Sequence, residues 1–448
     1  MSYILDTIPV IYMPKKAENS VICELLSNYT YGMKWDIIYT NKETEITLGD
    51  FTEEDTKNDS FVMNITDTGA YIKGVDFSSA MKGFICFLES IRYSEKDNTF
   101  FLENTLIRET PALDFRCVHL CVFPETKLDF LKKCVRSCAI AKYSHIILEF
   151  WGMLKFDCLK DLSWPFAYSK AEIKEIVKEA NALGLEIIPM FNHVGHASGC
   201  RMINGKHVVL DQNPKYEYMF DSYGWVWNFE KPEVDDLLRE VRKELINLCG
   251  EGKYFHLGCD EVCDYGRNEE KAIMMTEYIN KISAELKAQG RRCIIWHDML
   301  LSKEDCPEYT ANSHKAVADK LLNILDRDII IADWQYTPRH DVWKSSKLFK
   351  EHGFDVICCP WENLQSIKEA INTSREENLH GIIHTTWHTL FRGFGEMIYS
   401  GVLSYGNPTG TFDETYRYYS ASVARKALPS HGEYEKSGWS EKMTGAGL

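Results

Sequence analysis

From about Leu113 onward the chain alternates between two hydrophobic patterns. Short apolar, β-rich runs occur at Phe115 to Val122, His145 to Phe150, Leu185 to Phe191, Tyr254 to Leu257, Arg292 to Trp296, Ile329 to Trp334, Asp355 to Cys359 and Gly381 to Trp387. Between them lie amphipathic segments at Lys127 to Ala141, Lys170 to Leu183, Pro232 to Leu248, Glu269 to Gln289, Ser313 to Leu325, Trp343 to Glu351 and Leu364 to Glu377. Strand-length runs alternating with helical faces predict a parallel sheet wrapped by helices. Eight such runs predict a (β/α)8 TIM barrel over 109–428. Residues 1–108 break the rhythm: Ser78 to Arg92 reads as one amphipathic helix among short strand-like runs, which predicts a small separate α/β domain. Polar residues and a proline interrupt the pattern between Asn104 and Pro111, where the boundary is expected. The segment 429–448 is polar and glycine-bearing and is expected to be a loosely packed tail.

Composition narrows the function classes. With 448 residues and 45% hydrophobic content the chain can bury a large core. A net charge of -15 and a pI near 5.5 disfavour nucleic acid and anionic membranes as partners, and a neutral ligand is the easier expectation. The first residues carry no basic start followed by an apolar run, and no apolar stretch is long enough to span a bilayer, so the chain as given reads as cytoplasmic. Its 15 cysteines are scattered through apolar runs, where thiols behave as small core hydrophobes. In Cys117-Val118-His119-Leu120-Cys121 alternate residues share one strand face without needing a metal, and no second ligand pair stands at zinc-like spacing. Neither a metal nor another cofactor is expected.

Chemistry is expected at the carboxyl ends of the strands, where parallel barrels open their pockets. Those positions carry Glu149-Phe150-Trp151, Asn192-His193 with Gly195-His196, Asp260-Glu261, Trp296-His297-Asp298, Trp334-Gln335-Tyr336, Trp361-Glu362-Asn363 and Trp387. Five strands end in tryptophan, and flat rings with an indole donor suit the C–H faces of a sugar. A sugar pocket with paired carboxylates points to glycoside hydrolysis.

The run His256-Leu257-Gly258-Cys259-Asp260-Glu261 resembles the His-x-Gly-small-Asp-Glu signature of glycoside hydrolase family 20, the β-N-acetylhexosaminidases. The likeness extends to Gly195-His196-Ala197, to Arg116 in the first strand and to the tryptophans after strands five, six and eight. It covers essentially the whole barrel, and the small α/β domain in front fits the same architecture. The resemblance implies substrate-assisted catalysis, in which the 2-acetamido oxygen of the sugar attacks the anomeric carbon. Glu261 would then be general acid and base, with its pKa raised by a dry pocket, and Asp260 would accept the acetamido N–H. It further implies that Arg116 binds outer hydroxyls, that Glu149 supports the histidine and the acid, that His196 contacts the pocket, and that Trp296, Trp334 and Trp387 wall it. His256 would orient the pair or serve as a buried structural residue.

This chain departs from that pattern in three places. Trp361-Glu362-Asn363 stands where a Tyr-x-Asp is usual, so that either the Trp361 indole or the Tyr336 hydroxyl would hold the acetamido oxygen. Trp387-His388-Thr389 replaces Trp-x-Glu, which alters recognition of the 4- and 6-hydroxyls. Leu120-Cys121-Val122-Phe123 lacks the aspartate that usually follows the leucine. The expected partner is a β-linked N-acetylhexosamine glycan, with the choice between GlcNAc and GalNAc and the oligomeric state left open. Other readings are a β-N-acetylgalactosaminidase, a retaining glycosidase with Glu362 as nucleophile, and a carbohydrate-binding barrel that has lost catalysis.

Overall fold

The computed structural model describes residues 1–5, 8–50, 60–198, 207, 210, 213–221, 224–262, 264–338, 343–406 and 411–429. Strands Phe115–Val122, His145–Phe150, Glu186–Met190, Tyr254–His256, Arg292–Trp296, Ile330–Trp334, Val356–Cys359 and Gly381–Thr385 close into a parallel barrel in chain order. Inward-facing Cys117, Ile147, Ile188, Ile294, Ile330, Ile357 and Ile383 pack its interior, while the outward faces lie under helices. Burial on both faces explains why these strands read as continuous apolar runs. The seven predicted helices are present, from Leu128–Ile140 to Leu364–Glu376.

Two further helices, Phe394–Tyr405 and Phe412–Ala427, complete the outer ring. The first is buried around most of its circumference and holds Gly395 and Gly401, so it shows no amphipathic stripe. The expected tail beyond 429 lies outside the described residues. Among the described residues, no helix is long and apolar enough to cross a membrane.

The amino-terminal part holds a six-stranded sheet in the spatial order Asp36–Thr40, Val10–Pro14, Glu45–Gly49, Gly69–Gly74, Phe61–Thr66, Thr105–Glu109, and a three-stranded sheet of Ser2–Ile4, Thr99–Glu103 and Ile91–Ser94. Helix Phe77–Ser90 lies on the larger sheet and touches the first barrel helix, Leu128–Ile140. A helix missing from the sequence expectation, Ser20–Tyr29, packs beside it against Phe412–Ala427. Arg136 ties these layers together: its buried guanidinium forks onto Glu179 at 2.9 and 3.0 Å, reaches Glu24 at 2.6 Å and donates to the Ala427 carbonyl at 3.3 Å.

Candidate active site

At the carboxyl end of the fourth strand the chain turns through Gly258 (φ 72°), Cys259 (73°) and Glu261 (55°). Gly258 is required twice over, by its left-handed backbone and because a Cβ there would overlap the Asn192 carboxamide. Its N–H donates to His256 Nδ1 at 3.0 Å, and the His256 ring packs 4.3 Å from Trp296. Of the eight described non-glycine residues with positive φ, four are His196, Cys259, Glu261 and Trp387. Each such conformation costs about 1–3 kcal/mol, and such outliers collect where geometry serves function.

The Glu261 backbone is gripped from both sides. Its N–H donates to Asp298 Oδ2 at 2.8 Å, and its carbonyl accepts the Trp225 indole N–H at 2.9 Å. Asn312 Nδ2 donates to the same Asp298 oxygen at 2.6 Å. Asp298 is fully buried, and burial, reinforced by the negative charge of Asp260, pushes its carboxyl up to about 6.

The Asp260 and Glu261 carboxylates converge on one imidazole: His196 Nε2 lies 3.2 Å from Asp260 Oδ2 and 3.3 Å from Glu261 Oε2. The His196 ring packs 4.3 Å from Trp225. The Asp260 side chain is 6% exposed and that of Glu261 45%, which leaves Asp260 sheltered and Glu261 reachable from solvent.

Aromatic side chains from strands five to eight form a connected wall. Trp296 lies 5.5 Å from Trp387, whose indole N–H donates to the Tyr336 hydroxyl at 2.7 Å. Tyr336 stacks on Trp334 at 5.2 Å and meets Trp361 edge-on at 5.3 Å. Among the described residues the buried indole nitrogens of Trp296 and Trp334 have no hydrogen-bond partner, whereas Trp361 already donates to Thr389 Oγ1 at 3.0 Å. On the other side, Glu149 Oε2 lies 3.0 Å from His119 Nε2, and Glu149 Oε1 accepts from Asn192 Nδ2 at 3.3 Å.

Asp260, Glu261, His196, Glu149, Trp296, Trp334, Tyr336, Trp361 and Trp387 therefore gather at the carboxyl end of the barrel. Arg116 does not, and the expectation that it binds sugar hydroxyls is corrected. It sits near the start of the first strand, where its guanidinium donates to the carbonyls of Leu113, Asp114 and Lys142. There it lines a cavity of about 430 Å³ at the opposite barrel mouth with Asp76, Lys82, His145, Lys253 and Tyr405. The Glu362 carboxylate, considered as a nucleophile, is forked by Arg392 at 2.7 and 2.9 Å. Sequence reasoning assigned no role to Asp298, Asn312 or Trp225. Asp298 was visible as a carboxylate at a strand end, but Trp225 lies far along the connection after the third strand, where position alone carries no signal.

The family description "Glycosyl hydrolase family 20, catalytic domain" matches residues 159–387. Among curated relatives, a lacto-N-biosidase of Bifidobacterium bifidum is 21% identical over 317 residues, covering 66% of this chain and 26% of that protein. Hexosaminidase D of Bos taurus is 27% identical over 177 residues, covering 36% of this chain and 48% of the relative. The matched stretches thus span about a quarter to a half of those relatives. The fold is shared with Streptomyces plicatus N-acetyl-β-hexosaminidase, at a TM-score of 0.65 and 14% identity over 95% of this chain and 92% of that one. A Vibrio harveyi GH20 exo β-N-acetylglucosaminidase superposes with a TM-score of 0.66 and 14% identity, over 100% of this chain and 76% of that one. With over half its length matched by the family's catalytic domain, and the barrel and paired carboxylates in place, the chain belongs to glycosyl hydrolase family 20.

Proposed function

We propose that this chain is an exo-acting, retaining β-N-acetylhexosaminidase that removes terminal β-linked GlcNAc or GalNAc by substrate-assisted catalysis. The convergence of Asp260 and Glu261 on His196 Nε2 carries this reading. The two carboxylates approach from one side, which suits a substrate that brings its own nucleophile and does not suit acid and nucleophile on opposite faces of the ring.

In the first step the acetamido oxygen bonds to the anomeric carbon as the glycosidic C–O bond breaks, and Glu261 gives its proton to the leaving oxygen. Asp260 accepts the acetamido N–H and offsets the positive charge that develops on the closing oxazolinium ring. Glu261, now a carboxylate, takes a proton from water as that water opens the ring, restoring the acid and the original anomeric configuration. Tyr336, whose hydroxyl accepts from Trp387 and also bonds the Thr385 side chain, would turn toward the acetamido oxygen, whereas the Trp361 N–H already donates to Thr389. The unpartnered indole N–H groups of Trp296 and Trp334 supply further donors.

Arg116, expected to read the outer hydroxyls, faces the other mouth, and Thr389 stands where the family pattern has a glutamate for them. That favours a relaxed choice between GlcNAc and GalNAc, or a substituted terminal sugar. The test is hydrolysis of matched aryl β-glycosides of GlcNAc, GalNAc and glucose, with Glu261→Gln as control. Turnover confined to the acetamido sugars, and lost in the variant for poor leaving groups, is expected. Turnover of the glucoside would overturn the mechanism, and binding without any turnover would replace it with a carbohydrate-binding barrel.

A further inference from the structure

Beneath the aromatic wall, three buried side chains of different chemistry form a closed triangle. His119 Nε2 and Glu149 Oε2 are 3.0 Å apart, Cys121 Sγ and Glu149 Oε2 3.3 Å, and Cys121 Sγ and His119 Nε2 3.4 Å. His119 and Cys121 are alternate inward residues of the first strand, and the parallel register sets Cys121 beside Glu149. Cys117, two residues earlier, stays in the apolar layer below and takes no part.

Hydrogen bonding cannot account for all three edges. A ring nitrogen either carries a proton or accepts one, and a thiol has a single proton, so at most two edges can be hydrogen bonds, as when both donate to Glu149 Oε2, and the third, Cys121 Sγ to His119 Nε2 at 3.4 Å, is then an ordinary van der Waals contact. An ion inside the triangle uses all three vertices. At bond lengths of about 2.0 Å to nitrogen and oxygen and about 2.3 Å to sulfur, tetrahedral coordination spaces such donors about 3.3–3.5 Å apart, within about 0.3 Å of the separations found.

We infer that His119, Cys121 and Glu149 bind a divalent metal ion of the zinc class. A thiolate and a carboxylate together balance a dication, and a mixed nitrogen, sulfur and oxygen donor set selects a borderline-soft ion over Mg²⁺ or Ca²⁺. The supporting shell is built on the carboxylate side, while the buried His119 Nδ1 has no hydrogen-bond partner among the described residues. Asn192 Nδ2 donates to Glu149 Oε1, leaving Oε2 as the single ligand atom of that carboxylate, while the Asn192 carbonyl is held by the Trp227 indole N–H at 2.9 Å. The fourth position is left to water. The His119 ring meets Trp387 edge-on at 4.9 Å, so the ion lies under the pocket floor and joins the first two strands to the wall.

The test uses the whole chain with the exposed Cys23 replaced by serine in every arm. The metal content of purified protein is measured, and the chelator-stripped protein is titrated with Co²⁺ while the near-ultraviolet thiolate-to-cobalt charge-transfer band is followed. One equivalent of metal per chain, with a band abolished by Cys121→Ser and by Glu149→Gln, is expected. Circular dichroism of both variants separates loss of the site from loss of the fold, and Cys117→Ser, which keeps the triangle, is expected to keep the band. Absence of both stoichiometric metal and the band in the stripped and reloaded protein overturns the assignment. A band that survives Cys121→Ser overturns it equally, by placing the ion elsewhere. None of these readouts depends on glycosidase activity, so the site stands or fails apart from the proposed reaction.

Discussion

Asp298→Asn should separate the stability of this protein from its activity, with a pH dependence fixed in sign. Burial and Asp260 raise the Asp298 carboxyl to about 6, against about 3.9 in the unfolded chain. Below about pH 4 both states hold the proton and the group costs nothing. As pH rises from about 4 to about 6 the unfolded state releases its proton first, so folding loses stability on this account. At most the loss is roughly 3 kcal/mol, from about two pKa units at 1.36 kcal/mol each. Asparagine cannot ionise and removes this slope. It still accepts the Glu261 N–H, but without charge assistance, and its NH2 falls where Asp298 Oδ1 is buried without a partner among the described residues. That orphaned donor costs about 1–3 kcal/mol at every pH. Urea denaturation of both proteins from pH 4 to pH 8 should therefore show the variant gaining on the wild type by about 1–3 kcal/mol as pH rises, around an offset set by the orphan. On aryl N-acetylglucosaminide, kcat should fall roughly tenfold with KM little changed, since about 1.4 kcal/mol of grip on the Glu261 backbone is lost. A stability difference that is flat with pH refutes the charged-pair argument, and wild-type kcat refutes the positioning one.

Three other perturbations probe separate parts of the structure. Arg136→Ala strands the buried Glu179 carboxylate and should cost about 3–5 kcal/mol in urea denaturation, so a loss below about 1 kcal/mol would show that the fork does not hold the layers together. Lys82 is fully buried with its Nζ unpartnered among the described residues, and burial followed by the nearby Arg116 charge lowers it to about 7. Its folded pKa lies below the unfolded one, so stability should rise with pH between about 7 and 10. Lys82→Met should be the more stable protein below pH 7, by at most roughly 5 kcal/mol, with an advantage that fades toward pH 10; an advantage independent of pH would contradict this. Gly258→Ala adds a Cβ that meets Asn192, whereas Gly290→Ala, at φ 76° with open space around it, meets nothing. The second should cost about 1 kcal/mol in stability alone and the first should also lower kcat more than tenfold, so equal effects would remove Asn192 packing from the argument.

The barrel was legible because parallel strands buried on both faces leave apolar runs, and eight of them alternate with helical faces. The carboxylates were legible because the open mouth of such a barrel lies at the carboxyl ends of its strands. Arg116 shows the limit of that rule. It stands on the right strand, but six residues before Val122, about 20 Å at the usual rise per residue, which carries it to the other mouth. Helix Phe394–Tyr405 was missed for a related reason: burial on most sides erases the polar face that marks a helix in sequence.

A deeper limit concerns which polar atoms already have partners. Five tryptophans at strand ends look equivalent in sequence. In the fold, Trp151 stacks on Phe123, Trp361 donates to Thr389 and Trp387 to Tyr336, while the indole N–H groups of Trp296 and Trp334 have no partner among the described residues. The Thr389 hydroxyl accepts the Trp361 N–H and in turn donates to the Thr386 carbonyl at 2.9 Å. On the proposed reading, the donors offered to a sugar therefore depend on a hydrogen-bond relay from Trp361 through Thr389 to Thr386, between the ends of the seventh and eighth strands. A valine at position 389, with the same shape and no hydroxyl, would free the Trp361 donor toward the sugar and leave the Thr386 carbonyl to find another partner. Two chains with the same tryptophans can thus offer a sugar different donors, and the difference lies in a residue that need not touch it.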